Sequence, residues 1–137
     1  MQLIIHLKIA GVLMSLLALA HIHFVKRFGW REELQNVSLL TRQVFNVHCF
    51  FISLVLLMFG ALSIFGTETL LERNPLAKAV LAGLVLFWAA RLYIQFFVYD
   101  SKLWRGNRLN TVMHVVFSVM WTYYTVVYAA ALWRQYR

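Results

Sequence analysis

The sequence predicts an all-α integral membrane protein, an up-down bundle of four transmembrane helices with a short interfacial helix between the first and second spans. Three observations carry this expectation. Apolar residues make up 62% of the 137 positions and charged residues only 13%, whereas soluble domains have roughly 45–50% and about 25%. Mean hydropathy is +0.70. The charges gather between four long apolar runs, each near the roughly 17–25 residues a helix needs to cross a bilayer. Lipid is therefore the expected solvent, and the length suits a single domain.

The first span covers roughly residues 3–25. Lys8 can snorkel to the interface, and no small-x-small cleavage pattern follows, so this reads as a retained span and not a signal peptide. Ala10, Gly11, Ser15 and Ala18 offer small side chains for close helix contact. Between Lys26 and Arg42, charges mix with Trp30, Leu34 and Val37 at helical spacing, the pattern of a short helix lying along the headgroups.

The second span, roughly residues 44–65, has Asn46 and His48 as its early polar interruptions. A loop from Gly66 to Asn74 follows. Asn74-Pro75 then starts the third helix, with Asn as N-cap and Pro at the first helical position. The third span covers roughly residues 76–99 and holds Arg91, with Gln95 one turn later on the same face. A basic connection from Asp100 to Asn110 carries Trp104 as an interfacial anchor. In the fourth span, roughly residues 109–133, His114, Phe117, Trp121, Tyr124 and Tyr128 share one face. That aromatic stripe reads as packing, with a hydrophobic ligand pocket as the alternative.

A net charge of +8 raises the question of nucleic acid. The basic residues fall in short clusters and form no groove-sized patch, so anionic lipid headgroups are the expected partner. Cys49 is the only cysteine, which leaves no intrachain disulfide and no CxxC motif.

Alternating spans bring the polar residues to one membrane face: His21 and His23 end the first span, His48 begins the second, Gln95 and Asp100 end the third, and His114 begins the fourth. His48 and His114 fall roughly 6–8 Å below that face at 1.5 Å per residue. Of the five histidines, only His6 belongs to the opposite face.

Neutral imidazoles at one depth point to a transition-metal site of Fe, Cu or Zn with His21, His23, His48 and His114 as ligands. Redox chemistry on a lipid-soluble or small substrate is the function expected of it. Residues two apart diverge by about 200° on a regular helix, so His21 and His23 join one ion only if the helix unwinds there. Arg91 and Gln95 are the candidate cofactor- or substrate-binding pair, facing an anionic or carbonyl-bearing group such as a quinone headgroup.

Two alternatives stand beside this expectation. One is haem b, held by two opposed imidazoles in a subunit of an electron-transfer complex. The other is a non-catalytic structural or assembly subunit of a larger membrane complex or homo-oligomer, its polar residues joining helices. No Walker loop, HExxH, Rossmann glycine pattern or Ser-His-Asp order is present. Lys26, Arg27, Arg31, Arg42, Lys102, Arg105 and Arg108 flank the histidine face, against Lys8, Arg73, Lys78, Arg134 and Arg137 on the other. The positive-inside rule then makes the histidine face cytoplasmic, with a bacterial inner membrane as the working location.

Overall fold

The computed structural model describes residues 2–27 and 34–137, and for residues 22–27 and 101 only the backbone. The described residues are all-helical, and four helices are long and apolar enough to cross a membrane. The first, α1, is Gln2–Arg27. A single 3-10 turn at Leu34–Asn36 precedes α2, Leu39–Phe65. The short α3, Thr67–Leu71, leads to α4, Pro75–Phe97, and the chain ends in α5, Arg108–Arg134. The interfacial helix expected around Trp30 falls largely at residues 28–33, outside the described residues.

Local chemistry explains where these helices begin. α2 starts at Leu39, ahead of the apolar run expected from residue 44, because the Ser38 hydroxyl accepts the Thr41 N–H at 3.2 Å and caps the first turn. Helix formation follows the cap and not the edge of the hydrocarbon, so Arg42 lies inside the helix. Asn74 caps α4 as its sequence implies, its Oδ1 accepting the Ala77 N–H at 2.7 Å with Pro75 at the first position. Asn107 caps α5 through the Asn110 N–H. Just before it, Gly106 has φ +86, a left-handed conformation that favours glycine.

α3 is an addition to the expected loop. Gly66 closes α2 with its N–H on the Leu62 carbonyl at 2.8 Å. The chain then re-enters a helical turn that buries Thr67, Leu70 and Leu71. An acidic residue in the first turn of that helix, Glu68, complements its dipole.

The chain divides into two compact units, Met1–Leu7 with Thr67–Arg137 and Lys8–Gly66. In the first, α4 and α5 run antiparallel: Gln95 meets His114, Trp88 meets Trp121 and Tyr124, and Lys78 lies over the Tyr136 ring. The buried face of α4, namely Ala77, Leu81, Leu84, Trp88 and Gln95, recurs at helical spacing. Trp88 stacks on Trp121 with ring centroids 5.2 Å apart, and Gln135 Nε2 donates to the Leu70 carbonyl at 2.9 Å, tying the C-terminal end of α5 to α3.

In the second unit, α1 and α2 approach at glycine. A Cβ added to Gly11 would lie 2.7 Å from the Gly60 carbonyl oxygen, and one added to Gly60 would lie 2.5 Å from Ser15 Oγ. Such backbone proximity is the contact small residues permit between membrane helices. Elsewhere large apolar side chains point outward, Phe65 at 86% and Leu86 at 71% exposure. Burying such a side chain away from water is worth about 1.5–3 kcal/mol. An outer surface of this kind suits lipid.

Candidate functional site

Four residues of the first unit, Arg91, Gln95, His114 and Trp121, form one connected polar cluster between α4 and α5. Arg91 and Gln95 are one turn apart, so both side chains leave the same face of α4. Gln95 is 4% exposed. Its Nε2 donates to His114 Nδ1 at 2.7 Å, while its Oε1 accepts from Trp121 Nε1 at 3.3 Å and from Arg91 at 3.4 Å. One amide thus joins an imidazole, an indole and a guanidinium.

Aromatic rings enclose the two ionisable groups. The Arg91 guanidinium lies 5.0 Å from the Trp121 ring centroid and 5.6 Å from that of Tyr99. Trp104 stacks on His114 with centroids 3.9 Å apart and planes 12° from parallel. The loop before α5 holds Trp104 there: Thr111 Oγ1 donates to the Trp104 carbonyl at 2.7 Å, and Asn110 Nδ2 to the Leu103 carbonyl at 2.9 Å.

Among the described residues, no carboxylate contacts Arg91. Asp100, the acidic residue nearest in sequence, instead accepts the Lys102 N–H at 2.9 Å. An arginine at a membrane-helix centre costs about 2.5–3.5 kcal/mol on the lenient insertion scale. Each cation–π contact returns about 0.5–2 kcal/mol. The cluster lowers the cost of the charge without supplying a counter-anion.

Of the residues expected at a site, Arg91, Gln95 and His114 are thus brought together. His21 and His48 belong to the other unit. Each donates its Nδ1–H to a carbonyl one turn back on its own helix, His21 to Leu17 at 2.9 Å and His48 to Val44 at 2.8 Å. A carbonyl only accepts, so in each neutral ring the lone pair is on Nε2, the tautomer of a histidine prepared to ligate through that nitrogen. The His23 side chain lies outside the described residues. Among the described residues, no group of three or more His, Cys, Asp or Glu side chains is placed to hold a metal ion. His6, assigned to the opposite face, shares a hydrogen bond between its Nδ1 and Tyr123 Oη at 3.0 Å.

Trp104 and Trp121 have roles that spacing does not announce. Trp121 belongs to the aromatic stripe, but its indole N–H is also a donor to the Gln95 oxygen. Deeper in the same packing, Trp88 Nε1 and Tyr124 Oη are buried with no hydrogen-bond partner among the described residues. In comparisons with known protein families, curated proteins and solved structures, nothing matches this chain.

Proposed function

We propose that this is an integral membrane protein that binds the polar headgroup of a small lipid-soluble molecule at Arg91, Gln95 and His114, in the service of redox chemistry. The observation that carries the reading is Arg91 itself, half-buried in a membrane-spanning helix, with two aromatic rings and one amide around it and no carboxylate among the described residues. A hydrogen bond to a charged group is worth about 1.5–3 kcal/mol net, so an acceptor on a ligand would offset a large part of what the arginine costs. A quinone headgroup has the right combination of an acceptor oxygen and an apolar body.

The four spans alternate up and down in this reading. Redox chemistry further calls for a centre that exchanges electrons. The imidazoles of His21, His23 and His48 are the candidate ligands for Fe or Cu, since zinc exchanges no electrons and His114 is already committed to Gln95; the Nδ1–H bonds of His21 and His48 favour that assignment by fixing the tautomer with its lone pair on Nε2. The same two tautomers suit haem b, the second reading.

Binding of a short-chain benzoquinone to the detergent-purified protein, followed by quenching of tryptophan fluorescence, tests the headgroup site. Saturable quenching that weakens in Arg91→Met supports it; absence of saturable binding removes it. Metal analysis and a visible spectrum of the same preparation separate a metal ion from haem. A protein with neither a transition metal nor a Soret band, made with both supplied, leaves a structural or assembly role in a larger membrane complex.

A further inference from the structure

The hydrogen bonds of the cluster determine where its protons lie, and this restricts the ligand. Gln95 Oε1 faces two groups that only donate, the Trp121 indole N–H and the Arg91 guanidinium. Turning the amide round would set its NH2 against both donors, so the oxygen end must face them and the NH2 end must face His114. An NH2 group can only donate, and His114 Nδ1 at 2.7 Å therefore accepts. The neutral imidazole then carries its hydrogen on Nε2, the reverse of the tautomer in His21 and His48.

The consequence is that Arg91, Gln95 and His114 offer a ligand donors only. His114 Nε2–H and the guanidinium N–H groups that Gln95 does not use are all donors. Both Gln95 lone pairs are occupied. Building on the headgroup site proposed above, we infer that it selects a proton-free acceptor oxygen, the carbonyl of an oxidised quinone or the carboxylate of a fatty acid, over the corresponding hydroxyl compound. The oxygen of a quinol or an alcohol can accept from the same groups, but its own O–H then finds no acceptor among Arg91, Gln95 and His114, and a hydroxyl hydrogen left without an acceptor forfeits its bond. The site would thus hold the oxidised member of a quinone pair and release the reduced one.

Two paired comparisons on the purified full chain test this: a short-chain benzoquinone against its quinol under argon, and a medium-chain fatty acid at neutral pH against the alcohol of equal length. Whichever pair binds, the acceptor form should bind at least about tenfold more tightly, the scale of one lost hydrogen bond. The pair that shows this preference identifies the source of the oxygen. Equal or tighter binding of the hydroxyl form overturns the inference while leaving the headgroup site standing; absence of binding by all four overturns the headgroup site as well. Gln95→Glu should narrow the preference, because the introduced carboxylate accepts from Nδ1–H and turns Nε2 into an acceptor while the Arg91 N–H groups remain donors. Independently of any variant, nitrogen NMR of the wild-type protein should find His114 protonated at Nε2 and bare at Nδ1, and the opposite pattern overturns the inference.

Discussion

Gln95 Nε2 lies 2.7 Å from His114 Nδ1 and is the shortest side-chain bond in a cluster that also holds Arg91 and Trp121. Replacing Gln95 by Leu removes the partner of three polar groups at once. Leaving a buried donor or acceptor unsatisfied costs about 1–3 kcal/mol, so Gln95→Leu should destabilise the folded protein by at least that much. Unfolding in detergent micelles measures it, and a change within about 0.5 kcal/mol, the range of an ordinary surface substitution, would show that the cluster contributes no cohesion.

Tyr124→Phe should behave oppositely. The Tyr124 hydroxyl is fully buried with no partner among the described residues, and deleting an unsatisfied polar atom while keeping the ring is neutral or stabilising. The same unfolding measurement checks it. A loss above about 1 kcal/mol would mean that the hydroxyl bonds to something in the membrane-embedded protein.

Two glycines make a matched test of helix approach. Gly11 sits against the Gly60 carbonyl and Ile64, whereas a Cβ at Gly83 meets nothing within 4 Å. Gly11→Ala should lower the melting temperature through the backbone clash. Gly83→Ala should leave it unchanged or raise it, since alanine is favoured over glycine in a helix by about 0.5–1 kcal/mol. Equal effects at the two positions would remove the close α1–α2 contact as an explanation.

Asn74→Ala strips the N-cap of α4 and should cost about 0.5–2 kcal/mol, with Asn74→Ser recovering most of it. Thermal unfolding of the two variants side by side separates the cap from a generic effect of substitution.

Much of the helical layout was legible in the residues, and the reason is physical: four charge-poor runs of spanning length have few other ways to satisfy their backbones in lipid. Asn74-Pro75 announced its cap because both residues suit helix starts. The early start of α2 was not legible from hydropathy, because Ser38 nucleates the helix in a stretch that hydropathy reads as interface. Depth alone placed Gln95 and His114 at one level. Depth says nothing of ring orientation, however, so it could not distinguish His114, whose Nδ1 accepts from an amide, from His21 and His48, whose Nδ1–H groups bond to their own helices. Trp104 was legible as an interfacial anchor but not as a partner of His114, for a related reason. Its place on His114 depends on loop bonds from Asn110 and Thr111 that no spacing rule encodes.

The most direct test of a ligand site at Arg91 is thermal stability of the purified protein against quinone concentration. Ligand at a hundred times its dissociation constant stabilises the folded state by about 2.7 kcal/mol. The melting temperature of the wild-type protein should therefore climb with added short-chain benzoquinone, and that of Arg91→Met should stay flat. A wild-type melting temperature indifferent to quinone and to medium-chain fatty acid alike, in protein whose His114 and Arg91 remain bound to Gln95, would contradict the ligand site and leave the cluster as a bond between helices.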